Sequence, residues 1–528
     1  MNTGTRSKYA IALTAALGLI MAVLDATIVN VALVPIANSF NTDLNSIEWV
    51  VTGYLLAQAA VIPVAGYFSN RFGIKRLFII CLSLFTVGSV LCGLSQSETQ
   101  LIVFRVMQGL GGGALFPLSQ ALAFGAFPPR ERAAASAIVA IPVLLAPAFG
   151  PTLGGWLTDT FGWSSIFFVN LPVGILAIGL ASWVLPRDRV PERSQQPSFD
   201  YPGLALVTLG VLAVVYSFTL VSQTRPGSRT PANPAGELYG WSYEPVWGIL
   251  VLGLLLLTAF AIYELRFSKD PVLDLRLFTR YDYTIASVVS WVNAAVVFGS
   301  LILLPIFLQQ VRNPPLTALD AGLALMPQGL AAAVSVAIGG RLYNVVGVRV
   351  LVMVGAALLT LSSWMLTQVT PTTDGAGLLP ALVVRGLGFG FTLIPVQTMA
   401  LESITGPALA KASSLYNVTR QIFSSIGVAM VITLFVQQTN HHATQLIEQA
   451  RRSVPAGTQF DLNNPLVQKI IAVAKAQAGT AGMQDVFTMV MIGTTILFLV
   501  SLALPGREAQ ERRRAAREIG AAQPVIAE

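Results

Sequence analysis

The sequence predicts an all-α integral membrane protein built from two six-helix bundles, with two further helices inserted between them. The composition is the first observation behind this prediction: 54% of the 528 residues are hydrophobic and 11% are charged, whereas a soluble domain carries about 25% charged residues. The second is an internal repeat. The motif at 66–76 returns at 340–349, 274 residues later, and Arg105 has a counterpart in Arg385, 280 residues later. Weak symmetry over half of an apolar chain is typical of membrane proteins made of two similar halves.

The individual spans follow from the length of the apolar runs, since about 20 apolar residues are needed to cross a bilayer as a helix. Fourteen runs meet this requirement. They lie at 9–36, 47–69, 77–95, 100–126, 134–157, 164–185, 202–221, 245–264, 284–309, 319–341, 349–369, 378–402, 412–437 and 485–505.

The repeat divides these spans into parts, because it relates the first six to the last six and leaves the seventh and eighth unmatched. We therefore expect an N-terminal bundle over 1–200 and two inserted helices with a connector over 201–282. A C-terminal bundle follows over 283–506, and its large outer loop covers 438–484. A tail at 507–528 ends the chain.

The basic residues predict the orientation. Most of the 32 Lys and Arg residues fall on the side of the chain termini, and the positive-inside rule places that side in the cytoplasm. The formal net charge of +7 would also suit a nucleic-acid-binding protein. Cytoplasmic loops of membrane proteins collect the same charges, so we expect lipids rather than nucleic acid as the macromolecular surroundings.

The segment 438–484 contains a stretch near 466–474 with apolar residues at helical spacing. This stretch is a candidate docking site for a periplasmic adaptor or another outer partner. The alternative is a helix that rests on the rim of the protein itself or on lipid.

Ionisable residues inside the spans are the strongest functional signal, because each costs about 2.5–3.5 kcal/mol at the bilayer centre unless it is paired. Asp25 is the only carboxylate deep within a span, and Arg105, Arg385 and Arg420 are the basic residues there. Asp25 and Arg105 should lie in the same half of the bilayer, so we expect them to be neighbours, with Asp25 as the one deeply placed group that could bind and release a proton. The alternatives are a structural tie between helices for Asp25 and a side chain that reaches the interface for Arg105.

Uncharged polar side chains in the spans are candidates for the lining of a substrate cavity between the halves. Any one of them could instead form a hydrogen bond between helices. The candidates are Asn30, Gln58, Gln120, Asn293, Gln328, Gln397, Asn417 and Gln421.

Two glycine-rich stretches suggest moving parts. Gly66 and Gly73 permit a tight turn between the second and third spans, where Asn70 and Arg71 lie, and this turn is either a gate or a charged loop that fixes topology. The fifth span has the second stretch, a face of small residues next to a proline, which predicts a close helix pair that bends as a hinge or ordinary close packing. Its residues are Gly150, Pro151, Gly154 and Gly155.

Several chemistries are not supported by the sequence. It contains no Gly-x-x-x-x-Gly-Lys-Ser/Thr motif for ATP, and its two histidines, His441 and His442, lie outside the apolar runs. We therefore expect no metal, no cofactor and no enzymatic activity. A membrane sensor is a further alternative for the function of the whole protein, although a sensor has no need for a titrating carboxylate such as Asp25.

Five motifs give the chain a resemblance to a known family. They are Leu24-Asp25-Ala26-Thr27-Ile28-Val29-Asn30-Val31-Ala32-Leu33, the turn at 66–76, Leu101 to Gly109, Gly150-Pro151-Thr152-Leu153-Gly154-Gly155 and Phe167 to Gly174. In this order they resemble the fourteen-span drug:proton antiporters of the major facilitator superfamily, the branch of EmrB- and QacA-type multidrug exporters.

The resemblance implies the major facilitator fold, a bacterial cytoplasmic (inner) membrane, and export of amphipathic compounds in exchange for protons. It also implies that Arg105 takes part in proton coupling. The chain departs from the family at Asn70, where an Asp is usual, and this puts the gating contact of that residue in doubt. A dedicated exporter of one metabolite, lipid or antibiotic is the alternative function.

Overall fold

A computed structural model describes residues 7–42, 47, 49–128, 131–188, 200–223, 225, 238–268, 271–405, 408–453 and 465–512. Over these residues the chain is almost wholly helical. The helices are α1 (Lys8–Phe40), α2 (Trp49–Phe72), α3 (Ile74–Gly93), α4 (Glu98–Ala126), α5 (Arg132–Phe161), α6 (Asn170–Val184, preceded by one turn at Ser165–Phe168), α7 (Tyr201–Ser222), α8 (Glu244–Arg266), α9 (Tyr281–Asn293, extended to Val311 by short α and π segments), α10 and α11 (together Ala318–Leu366), α12 (Gly375–Glu402), α13 (Ala408–Ser453) and α14 (Pro465–Ser501).

Twelve of these helices are long and apolar enough to cross a membrane within the part of the chain described. The all-helical membrane architecture predicted above is thereby confirmed. The helix Ala318–Leu366 counts once although its backbone breaks at Gly347, where φ is 82°. The helix Arg132–Phe161 is not among the twelve. The number of fourteen spans therefore stays a prediction.

Side-chain caps explain where several helices begin. The carboxylate of Asp200 accepts a hydrogen bond from the Gly203 amide at the start of α7, and Asp374 does the same for Gly377 in α12. Ser97 accepts from the Gln100 amide and begins α4. Each cap satisfies a backbone N–H that the helix itself leaves without a partner.

The internal repeat reappears as a repeated set of contacts at the face where α1 begins, here called the terminal face. Gly73 has φ of 93°, and a Cβ there would lie 2.2 Å from Cγ of Asp188. The Lys75 ammonium donates to the carbonyl of Leu185, just after α6 (3.0 Å). In the second half Arg349 donates in the same way to the carbonyl of Leu504, after α14 (2.5 Å). In both halves, a base after the turn holds the end of the sixth helix of that half.

The segment 438–484, predicted as an outer loop, is helical over its described parts. Its described parts continue α13 as far as Ser453 and begin α14 at Pro465. The reason lies in the composition of 438–453, which contains neither Gly nor Pro and has the helix-forming residues Gln, Ala and Arg more than once each. The side chains at 466–472, on which the adaptor prediction depends, lie outside the described part.

The inserted helices α7 and α8 pack together, and α8 is the more exposed of the two. α8 exposes a broad apolar surface that includes Trp247, Leu255 and Ile262. α7 lies between α8 and the bundles, and contacts both α2 and α13. The division into bundles and inserted helices stays a prediction; a contact of α7 with both bundles is compatible with it.

Candidate functional site

The two charged residues singled out in the N-terminal bundle form an ion pair. Arg105 on α4 donates from Nη1 to Oδ2 of Asp25 on α1 at 2.5 Å. Both side chains have no exposed surface. The two residues therefore lie together, as the sequence predicts. Neither side chain reaches the interface.

Neighbouring amides complete the coordination of the Asp25 carboxylate. Oδ1 accepts from Nε2 of Gln108 (2.9 Å) and from Nδ2 of Asn170 at the start of α6 (2.9 Å). The Ser89 hydroxyl accepts a second bond from Asn170 (3.0 Å), which fixes the amide orientation. Helices α1, α3, α4 and α6 thus converge on one carboxylate.

The guanidinium of Arg105 is held from three further directions. Its Nε donates to the Val50 carbonyl at 3.1 Å, and Nη1 also donates to Oε1 of Gln108 at 2.8 Å. The ring of Tyr54 lies 4.0 Å from the guanidinium carbon, a distance suited to a cation–π interaction. Tyr54 in turn donates its hydroxyl hydrogen to the Ala22 carbonyl, one turn from Asp25.

This coordination fits an ionised carboxylate. All three partners of Asp25 are N–H donors, and an ionised carboxylate accepts hydrogen bonds without donating any. A protonated carboxyl would bring an O–H that needs an acceptor. In the contacts described, the partners of the Asp25 carboxylate all act as donors and none of them accepts from it.

The predicted gate at 66–76 lies where the two halves meet. The Gly66 amide donates to the Ser414 hydroxyl on α13 at 2.8 Å. A Cβ at Gly66 would lie 2.5 Å from the Ala410 carbonyl oxygen. Gly73 forms the turn itself, and Asn70 and Arg71 lie half-buried in the last turn of α2. Whether this contact acts as a gate stays a prediction.

Arg132, at the start of α5, makes the densest contact between the halves. Its Nη1 lies 2.7, 2.8 and 2.9 Å from the carbonyl oxygens of Leu401, Glu402 and Ile404, which end α12. One turn further along α5, Ser136 shares a hydrogen bond with Thr398 (2.8 Å). The terminal face is thus closed by hydrogen bonds between the halves.

The glycine face of α5 packs against α1. A Cβ at Gly150 would lie 2.1 Å from Oγ1 of Thr27, and one at Gly154 would lie 3.0 Å from the Ile28 carbonyl oxygen. Gly155 is half-buried, and the side chain of Pro151 lies outside the described part. The close helix pair is therefore present, but it joins two helices of one half rather than the two halves. Its role as a hinge stays a prediction.

Two of the predicted cavity residues meet across the halves. Oε1 of Gln120 on α4 accepts from Nδ2 of Asn417 (3.0 Å) and from Ser413 (2.9 Å), both on α13. This is the hydrogen bond between helices that the sequence analysis gave as the alternative. The other candidates are not joined by the described contacts: Asn293 and Gln397 are buried, Gln58, Gln328 and Gln421 are half-buried, and the side chain of Asn30 lies outside the described part.

The sequence analysis did not single out four residues that complete these sites: Gln108, Asn170, Arg132 and Ser414. Gln108 and Asn170 stand within motifs that the sequence made visible, and Gln108 follows Arg105 by three residues, which places both on one helix face. That spacing was the available signal. Arg132 and Ser414 act between halves, and nothing in the local sequence indicates their partners.

Comparisons with known proteins agree with this architecture. The family model of the Major Facilitator Superfamily matches residues 15–428. The multidrug resistance protein B homolog of Mycobacterium tuberculosis (strain ATCC 25618 / H37Rv) is 35% identical over 82% of this chain and 77% of its own length. The multidrug export protein EmrB of Haemophilus influenzae is 33% identical over 85% of each chain.

A solved structure gives the same fold at low sequence identity. The human organic anion transporter MFSD10 (TETRAN) matches with a TM-score of 0.57 and 14% identity, over 92% of this chain and 99% of that one. The predicted family is confirmed: the chain is a multi-pass membrane protein that belongs to the Major Facilitator Superfamily, in the branch of EmrB-type multidrug export proteins.

Proposed function

We propose that this protein exports drugs and other amphipathic organic compounds across the bacterial cytoplasmic (inner) membrane in exchange for protons. The relatives from M. tuberculosis and H. influenzae are named as multidrug resistance and multidrug export proteins, which supports the cargo class. The excess of Lys and Arg on the terminal face supports an orientation with this face, and both chain termini, in the cytoplasm.

The single observation that carries proton coupling is the Asp25–Arg105 pair. Asp25 is the proton-binding residue, and in the arrangement described it is ionised. Arg105 is its counter-charge, and the side-chain amides of Gln108 and Asn170 donate hydrogen bonds that orient the carboxylate toward Arg105. Proton uptake neutralises the carboxylate, so Arg105 loses its ionic partner and the contacts between α1 and α4 change. That change is the link between protonation and helix movement.

The closed terminal face supports an assignment of the conformational state. Arg132 and Gly66 join the halves on the cytoplasmic side, so exchange with water takes place from the opposite side. An ionised Asp25 in this state corresponds to the stage after cargo has left and before a proton is taken up from outside. Return of the empty carrier then requires protonation of Asp25.

Purified protein in liposomes tests this proposal. A fluorescent cationic drug such as ethidium serves as cargo, and an imposed pH gradient drives its transport. Asp25→Asn keeps a polar side chain of the same size but cannot exchange a proton. We expect it to lose uphill transport while it retains downhill movement of the drug. Full pH-driven transport by this variant would place coupling elsewhere.

The range of cargo is a separate question with its own measurement. A strain that overexpresses the protein should tolerate several structurally unrelated amphipathic compounds, and a proton uncoupler should remove that tolerance. Tolerance of one compound alone would favour the dedicated exporter.

A further inference from the structure

Arg385 in α12 is a buried arginine for which the described residues provide no counter-charge. It has 1% of its surface exposed. Its Nη2 donates to the hydroxyl of Ser300 on α9, and its guanidinium carbon lies 5.5 Å from the ring of Phe487 on α14. Its Nε is buried without a hydrogen-bond partner. Among the described residues no carboxylate lies within ion-pair distance of it.

The N-terminal bundle provides a direct comparison, because Arg105 and Arg385 are the repeat-related arginines of α4 and α12. Arg105 has Asp25 as a counter-charge and hydrogen bonds to Gln108 and Val50. Ser300 lies 275 residues after Asp25, a separation that matches the repeat, and it contacts Arg385 as Asp25 contacts Arg105. The C-terminal bundle has therefore kept the arginine and has a neutral hydroxyl in place of the carboxylate.

The charge is not compensated from further along α12 either. Asp374 caps the start of this helix eleven residues before Arg385, which corresponds to about 16 Å along the axis. Glu402 is at the other end, seventeen residues after it, or about 25 Å. A guanidinium that is taken out of water needs a closely placed negative charge and hydrogen-bond acceptors.

The backbone beside Ser300 departs from a regular α-helix. Two π-helical turns, Ala294–Phe298 and Phe307–Val311, lie on either side of the short α segments that include Ser300. Such turns are frequent at functional sites.

We propose that Arg385, with the Ser300 hydroxyl, binds a small monovalent anion: either an inorganic ion such as chloride or the carboxylate of an organic acid. The anion would accept hydrogen bonds from the guanidinium and supply the counter-charge that Asp25 supplies in the other bundle. This site is separate from proton coupling at Asp25, and the proposal does not depend on the function proposed above.

Thermal unfolding of the purified protein tests the proposal without any transport. A ligand that binds the folded state raises the apparent Tm in proportion to the logarithm of its concentration. We expect a rise of about 1–3 °C when the sodium salt of a bulky sulfonate such as MES is replaced by about 150 mM sodium chloride or sodium acetate at constant ionic strength. A response to chloride alone identifies an inorganic ion, and a response to acetate alone identifies a carboxylate. The absence of any response to both anions overturns the proposal.

Two variants locate the response. Arg385→Gln should abolish it. Ser300→Asp places a carboxylate where the other bundle has Asp25, so it should raise the apparent Tm in the sulfonate salt and remove the response to added anion. Arg276→Gln removes an exposed arginine and should respond like the natural protein. If Arg385→Gln does not fold, Ser300→Asp alone decides, and an unchanged anion response in Ser300→Asp contradicts the assignment.

Discussion

At the scale of single residues, the Asp25 site shows how a carboxylate inside a membrane protein is surrounded by hydrogen-bond donors. Its three N–H donors come from Arg105, Gln108 and Asn170 on two different helices. Hydrogen bonds to a charged group contribute about 1.5–3 kcal/mol each. The three together offset much of the cost of burying a charge. The amides therefore stabilise the buried carboxylate as well as fix its position.

Replacement of Asn170 by Leu tests this influence. The variant removes one donor from the carboxylate but keeps Arg105. We expect pH-driven transport to persist with a changed pH profile, because one of the three hydrogen bonds that hold the carboxylate is lost. Transport of a fluorescent drug into liposomes over a range of pH values gives that profile.

Asn440→Leu is the matched control, since Asn440 is exposed near the far end of α13. It should leave the pH profile unchanged. An unchanged profile in Asn170→Leu as well would mean that Asn170 only positions α6.

At the scale of helices, the contact between α1 and α5 connects a packing surface to the coupling site. Gly150 meets Thr27, which is two residues from Asp25 on the same helix. A side chain at position 150 must displace α1 because the clash includes Cβ of Thr27 at 2.8 Å. Overpacking of this kind typically costs about 1–3 kcal/mol. The glycine therefore protects the position of Asp25.

A series of leucine substitutions tests the contact. Gly150→Leu should reduce drug transport about tenfold or more with normal insertion into the membrane, and Gly154→Leu should have a smaller effect because its nearest contact is 3.0 Å. Gly179→Leu on α6 is the control, since a Cβ there meets nothing within 4 Å. Transport per molecule in the membrane is the measurement. Normal transport by Gly150→Leu would show that α1 and α5 separate without consequence.

At the scale of the whole molecule, closure of the terminal face depends on a few contacts between the halves. Arg132 holds three carbonyl oxygens at the end of α12 with one nitrogen. They lie at or just after the end of α12, where carbonyls lack the usual helical partner, and the Leu401 carbonyl also accepts from the Ile404 amide (3.2 Å). The arginine therefore caps a helix of the other half, and the cap exists only while the terminal face is closed.

Arg132→Gln should shift the population toward a conformation that is open at the terminal face. Loss of about 1.5–3 kcal/mol of charged hydrogen bonding changes the ratio of closed to open molecules roughly ten- to a hundredfold. Spin labels on cysteines at Phe72 and Ala408, both exposed at this face, report the separation of the halves. We expect longer distances in the variant.

The natural cysteines do not interfere with this measurement, because Cys81 and Cys92 are buried. Arg266→Gln, an exposed arginine at the end of α8, is the control and should leave the distances unchanged. Distances in Arg132→Gln that match the control would show that other contacts hold the face closed.

The sequence predicted what depends on local pattern and on desolvation. Apolar runs located the helices, and the cost of a buried charge pointed to Asp25 and Arg105, which the structure brings together. The extension of α13 to Ser453 was not predicted, because polar helix-forming residues resemble a loop when hydropathy alone is considered. The helical stretch near 466–474 was predicted, and it lies within α14. Arg132 and Ser414 were not found, because their partners lie about 270 and 350 residues away in sequence and no local spacing encodes such a contact.

The position of α7 has a consequence for how cargo dissolved in the bilayer would enter. Tyr216 of α7 lies against Trp49 of α2, with ring centroids 6.2 Å apart, and the other face of α7 packs through Phe218 near Ala429 of α13. α7 thus covers the seam between α2 and α13 and separates it from lipid. On the opposite side α5 meets the helix Ala318–Leu366 directly, and α12 contacts both of them. A lateral route from the membrane leaflet that passed between α2 and α13 would therefore have to displace α7.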